Sequence, residues 1–229
     1  VIVTITEHES MLARQRGIVG APLQRIYYGL PDTNSPPPQR LGGDGPLEFL
    51  FVGRLDRQKG LDWLLECWPQ LPASDFRLTV VGSALHSGNA VQRDLPNVHY
   101  TGWIDNAMLD GYFDRADAVV MPSRWEGFGL VAAEAMRRGV PVLVSDRGAL
   151  AEVIGGDEAG KVFSLSSSAS FIDMARSLQR EELRRLGRQG RVRFEQLFRS
   201  ERMNQETDAL YRQILSSVAR KSAIPPRKS

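Results

Sequence analysis

The sequence predicts a doubly wound α/β domain, a parallel sheet with helices on both faces. Three observations predict it. From Leu47 onward, short apolar runs alternate with helical patterns. The runs are continuously apolar, as strands buried on both faces must be. Three of them lead directly into glycine, at Gly53, Gly82 and Gly102, at the edge where open α/β sheets hold their ligands.

The elements follow in order. Val1–Thr6 reads as a β-branched strand, and its abrupt start suggests a fragment. Glu9–Gly17 is helical and ends in glycine. Arg25–Tyr28 is the next expected strand, closed by Gly29-Leu30-Pro31-Asp32. Ser35-Pro36-Pro37-Pro38 with Gly42, Gly43 and Gly45 marks a linker over 32–46. The regular part then gives strands at Leu47–Val52, Phe76–Val81, Val98–Thr101, Ala118–Met121, Pro141–Ser145 and Lys161–Ser164. Its helices are Leu61–Trp68, Asp105–Arg115 with Asp105 as N-cap, and Leu130–Arg138 closed by Gly139. From Ser168 the pattern is helical nearly to Ala219, and 223–229 reads as a disordered tail.

Composition excludes some functions. The 229 residues carry 29 Lys+Arg against 27 Asp+Glu, so there is no bulk argument for nucleic acid. The apolar runs are strand-sized and too short to span a membrane. No signal peptide is visible, which makes the cytoplasm the default. Cys67 is the only cysteine, lies in an apolar helical pattern and reads as a core thiol.

Three loops at the ligand edge carry unusual residues. In Gly53–Gly60, the cations Arg54, Arg57 and Lys59 crowd a helix start, where the macrodipole disfavours them. A bound anion would resolve the conflict; a solvated loop with Asp56 offsetting the charge is the plainer reading. In Glu126–Glu134, Gly127 and Gly129 open the backbone to a ligand, and Glu134 falls inside an apolar helix start. Ribose hydroxyls would satisfy that carboxylate, as would ion pairs with Arg137 or Arg138. Val80–Gly82 with Thr101–Ile104 offers room for a flat base, where Trp103 either packs on a ring or is a core or rim aromatic.

Two motif matches fail. Gly127–Ala132 fits G-x-G-x-x-A, but Pro122–Glu126 separate it from the strand, which looks like the fourth of the sheet. Gly155–Lys161 fits G-x-x-x-x-G-K, but Val162 and a strand follow where Ser/Thr and a helix belong.

Taken together, four segments resemble the retaining GT-B glycosyltransferases of family GT4. They are Gly53-Arg54-x₄-Lys59-Gly60; Val80-Val81-Gly82; Thr101-Gly102-Trp103; and Pro122-Ser123-x₂-Glu126-Gly127-Phe128-Gly129-Leu130-x₃-Glu134-Ala135-Met136, followed by Gly139-x-Pro141-Val142. The resemblance covers roughly Leu47 to Leu178. It implies a Rossmann-like C-terminal GT-B domain over 47–199 that binds a nucleotide diphosphate sugar. Arg54 and Lys59 would hold the donor diphosphate, and Glu126 the donor-sugar hydroxyls. Phe128, Gly129 and Leu130 would offer amides, with Gly53, Gly127 and Val131 in the same substrate-binding set. Glu134 would bind the ribose, and Gly82, Trp103 and Ile104 would lie near the base. No metal and no other cofactor is implied.

The acceptor would be a glycan or a lipid-linked sugar. Residues 1–31 resemble a remnant of the N-terminal domain, the expected partner, and 200–222 a helix returning toward it. The arginines Arg176, Arg180, Arg184, Arg185, Arg188, Arg191 and Arg193 read as a solvated face with Glu181, Glu182 and Glu195; a peripheral contact with anionic lipid at the inner membrane face is the second reading. A nucleotide-sugar epimerase and a non-catalytic nucleotide-binding module remain the rival functions.

Overall fold

The computed structural model describes residues 1–18, 20–33, 45–84 and 92–222; the Pro/Gly run apart from Gly45, His86 and 223–229 lie outside them. A six-stranded sheet has the order β5-β4-β3-β6-β7-β8, with β3 at Leu47–Val52, β4 at Phe76–Val81, β5 at Val98–Gly102, β6 at Ala118–Met121, β7 at Val142–Ser145 and β8 at Gly160–Phe163. All its pairings are parallel. The order reverses between β3 and β6, which makes their carboxyl ends the switch point where such sheets bind ligands.

The apolar strands divide their side chains between two cores. Phe49, Phe51 and Val80 join one with α2 (Leu61–Cys67) and α6 (Ser168–Ser177). Leu50, Val119 and Val144 join the other with α4 (Leu130–Arg137) and α7 (Arg180–Leu197). Cys67 is buried in the first, and burial pushes its thiol up to about 11. Asp105 caps α3 (Asn106–Arg115) through the Ala107 amide, and Gly139 turns left-handed after α4.

Several expectations are corrected. The second strand, β2, is Leu23–Arg25, which pairs in parallel with β1 (Ile2–Thr4). Tyr27 and Tyr28 leave the strand because they pack on Phe198 and Phe128, with centroids 5.4 and 5.6 Å apart. The helical stretch after Ser168 is three helices, α6, α7 and α8 (Ser200–Ser222), and α5 (Leu150–Ile154) precedes them.

The arginines are a solvated face only in part: Arg185 and Arg188 are exposed and Arg191 pairs with Glu195, but four of the set are also bonded to the main chain. Arg176, Arg180, Arg191 and Arg193 donate to backbone carbonyls, those of Gln70, Pro46, Arg137 and Val153. Long guanidinium forks thereby satisfy acceptors that the chain ends and turns leave open.

Residues 1–33 fasten to this frame. Glu152 of α5 accepts from the amides of Glu7 and His8, at the start of α1 (Glu7–Gln15), and from the Tyr27 hydroxyl. Asp32 accepts from Arg191 at 2.6 and 2.8 Å and from Arg199 at 2.6 Å. Burial pushes the Asp32 carboxyl up, but hydrogen bonds from Arg191, the Thr33 amide and Arg199 outweigh it and hold it at about 2, against 3.8 ordinarily.

A carboxyl lowered by folding stabilises the fold above its unfolded value, and that contribution disappears as pH falls from about 5 toward the folded value. Asp32→Asn is therefore expected to cost on the order of 2 kcal/mol at pH 7 and close to nothing at pH 2. Urea unfolding of both proteins across that range measures it; a pH-independent difference would count against the ionic origin.

Candidate functional site

The site is built where two loops meet at the switch point. Loop 53–60 follows β3, and loop 122–129 follows β6. They clasp each other: the Arg124 amide donates to the Gln58 carbonyl at 2.8 Å, and Gln58 Nε2 donates to the Trp125 carbonyl at 3.3 Å. The Arg124 guanidinium holds Asp62 by two bonds of 2.6 and 2.9 Å. Bidentate pairing of this kind fixes both direction and distance.

Two of the cations predicted to need an anion, Arg54 and Lys59, have protein partners, while Arg57 is exposed. Arg54 is exposed and lies 3.1 Å from Asp56 and 2.9 Å from the Gln58 amide oxygen. Lys59 donates to Glu126 Oε1 at 2.5 Å, with side-chain exposures of 19% and 9%. Its aliphatic stem lies alongside Gly53, within van der Waals reach of where a Cβ would stand.

Glu126 is held from behind. Ser123 Oγ donates to the same Oε1 at 3.1 Å, and Ser145 Oγ in turn donates to the Ser123 carbonyl at 2.6 Å. The Ala149 amide donates to the Glu126 carbonyl at 3.0 Å. Gly148, at φ +66°, lies so close to the Glu126 backbone that no Cβ fits. Sequence reasoning missed Ser123, Ser145 and Gly148 as parts of the site. The one available signal was that Ser145 ends a strand whose neighbour carries the loop.

Helix α4 starts at Gly129 with no side-chain cap. Among the described residues no protein acceptor faces the amides of Phe128, Gly129 or Leu130. The Phe128 ring is buried against Tyr28 and Phe198, so only its backbone is offered outward. Val131 is half-buried in the first turn, and Gly127 accepts a bond from Thr6 Oγ1 through its carbonyl at 3.1 Å.

Glu134 lies further along α4, half-buried, with no donor in hydrogen-bonding range among the described residues. Burial pushes its carboxyl up against the attraction of Arg137, and nearby Asp110 adds to the rise. The expected alternative partners are engaged elsewhere, Arg137 with Asp110 at 2.8 Å and Arg138 with Asp114 at 2.7 Å.

A cavity of about 320 Å³ opens beside these loops at the ends of β3, β4 and β5. Gly53, Arg54, Gly82, Trp103, Ile104 and Leu109 line it. Trp103 is 73% exposed and forms a rim. The geometry offers, in sequence, a slot for a flat group, a carboxylate without donors, free amides, and a cation paired with an acid.

Comparisons with known proteins agree with this arrangement. A family model described as glycosyl transferases group 1 matches residues 46–181. The lipopolysaccharide core biosynthesis mannosyltransferase LpsB of Rhizobium meliloti is 30% identical over 187 residues, covering 71% of this chain and 52% of that protein. The structure of a sucrose-phosphate synthase from Thermosynechococcus elongatus matches with a TM-score of 0.82 at 29% identity, over 94% of this chain and 58% of that one. Anabaena HepE, solved with UDP-glucose, shares the fold with a TM-score of 0.72 at 20% identity, over 95% of this chain and 64% of that one. The chain spans about a third to a half of the length of the curated relatives it matches.

Proposed function

The chain belongs to the group 1 glycosyl transferases, and on that premise we propose that it is the donor-binding half of a retaining GT-B enzyme of family GT4. The enzyme moves a sugar from a nucleotide diphosphate sugar to a glycan or lipid-linked acceptor, in polysaccharide, lipopolysaccharide or glycolipid synthesis at the cytoplasmic face of a membrane. The observation that carries the reading is the Lys59–Glu126 pair at 2.5 Å, set at the switch point beside the free amides of α4. The names of the relatives support it, one a lipopolysaccharide mannosyltransferase and one a protein holding UDP-glucose.

Each group has a role in this proposal. The base lies in the cavity between Gly82, Ile104 and the Trp103 rim. Glu134 accepts the ribose hydroxyls. Arg54, Lys59 and the amides of Phe128, Gly129 and Leu130 take the diphosphate, and Glu126 takes the donor-sugar hydroxyls. As the bond from the anomeric carbon to the diphosphate breaks, charge grows on the departing oxygens. The fixed cations and amides stabilise it without a metal. An epimerase shares the fold, but cations facing the leaving diphosphate together with an acid at the sugar favour transfer.

Titration calorimetry with UDP, GDP and ADP tests the proposal. The chain is expected to bind at least one of them, and to bind the 2′-deoxy form more weakly because Glu134 loses a donor. Glu134→Gln is expected to narrow that preference several-fold. Equal binding of ribo and deoxy forms would assign Glu134 a packing role. In a transfer assay the chain alone is expected to turn over no sugar, since the acceptor side has to come from elsewhere; turnover would overturn the donor-half assignment.

A further inference from the structure

We propose that Glu126 and the donor diphosphate compete for one cation, Lys59, so that seating the diphosphate releases the Glu126 carboxylate to recognise the sugar. This rests on the reading of the cleft given above and adds a coupling between its two halves.

The geometry points to exchange rather than sharing. Lys59 Nζ and Glu126 Oε1 are 2.5 Å apart, and both side chains are largely withdrawn from solvent. At that burial neither charge is tolerated without a partner. Among the described residues Lys59 has no second carboxylate paired with it: Asp56 already accepts from the Lys59 amide and pairs with Arg54.

The Glu126 main chain is held so that it cannot follow Lys59 to a new position. The Ala149 amide holds its carbonyl, Gly148 lies against its backbone, and Arg124 and Gln58 fix the loop ahead of it. Lys59, by contrast, carries its ammonium on a flexible stem. A diphosphate offers more negative charge than one carboxylate, so the ammonium swings and the acid stays.

Released, the buried carboxylate keeps only the Ser123 hydroxyl. Its open acceptor sites are then filled at least cost by sugar hydroxyls, which bond strongly to an ionised oxygen. The two halves of the donor are thereby linked: diphosphate binding raises affinity for the sugar, and the sugar raises affinity for the diphosphate.

The sign of one measurement decides it. UDP, GDP and ADP are titrated into the parent chain, Glu126→Gln, Lys59→Ala and the double variant, with thermal melts confirming the fold. Removing the competitor is expected to tighten nucleoside diphosphate binding about fivefold or more in Glu126→Gln, on the scale of ordinary site coupling. The preference of UDP-glucose or another sugar conjugate over the bare diphosphate is expected to fall in the same variant. In the Lys59→Ala background the gain is expected to vanish.

Glu126→Asp is the second variant. It keeps the negative charge but draws it back from Lys59, so exchange still predicts tighter binding whereas simple repulsion predicts none. Unchanged or weaker diphosphate binding in Glu126→Gln overturns the proposal, as does a gain that survives without Lys59. Failure of all three nucleotides to bind the parent chain overturns the reading of the cleft itself.

Discussion

Gly60→Ala is expected to destabilise the protein by about 2–4 kcal/mol and to weaken nucleoside diphosphate binding more than tenfold where the variant still folds. Gly60 sits at φ +74°, and a Cβ there would run into the Pro122 carbonyl. Relief requires loop 53–60 to move away from loop 122–129, which separates Lys59 from Glu126. Gly156 supplies the comparison, with φ +64° and nothing within 4 Å of its Cβ position. Gly156→Ala should cost only the left-handed strain, about 1–2 kcal/mol. Urea unfolding and calorimetry of the two variants separate strain from collision. Equal losses of stability would show that the loops yield to the new methyl group.

Lys59→Ala is expected to weaken nucleoside diphosphate binding by about 1.5–3 kcal/mol, the range for a charge-assisted hydrogen bond, and nucleoside binding far less. The variant also leaves Glu126 buried without its cation, so a lower melting temperature should accompany the loss. Arg54→Ala should have the smaller effect of the two. Its guanidinium is 44% exposed and already shared between Asp56 and Gln58, and exposed pairs contribute little. Calorimetry with the diphosphate and the nucleoside side by side checks this; equal losses for both ligands would place Lys59 away from the phosphates.

The sheet was legible because burial on both faces leaves an unmistakable pattern. Phe49 and Phe51 serve one core and Leu50 the other, so the run has no polar face to confuse it. Tyr27 and Tyr28 were misread as strand because β propensity is local, whereas their partners Phe128 and Phe198 are remote in sequence.

At the candidate site, their places at helix starts singled out Arg54, Lys59 and Glu134 and the family resemblance added Glu126, but neither gave their bonds. Whether a loop cation meets a ligand or a carboxylate depends on how two loops close over each other, and Arg124 with Gln58 sets that closure. Ser123, Ser145 and Gly148 act through hydroxyls, carbonyls and absent atoms, which leave no periodic signal. The arginines of α7 misled for a related reason: composition counts charges, while Arg191 and Arg193 spend theirs partly on main-chain oxygens.

The fastening of the first residues to the last helix sets an order of events during synthesis. The Gly29 amide meets the sulfur of Met203 174 residues away, and Arg202 donates to the Tyr27 carbonyl across 175 residues. When Tyr27 and Tyr28 emerge from a ribosome, the surfaces they cover do not yet exist. The central sheet can pair progressively from β3 to β8, whereas the strap of residues 1–33 has to wait for α7 and α8 and closes last. The delay bears on when the contacts of Tyr27 and Gly29 with Phe198 and with α8 are completed.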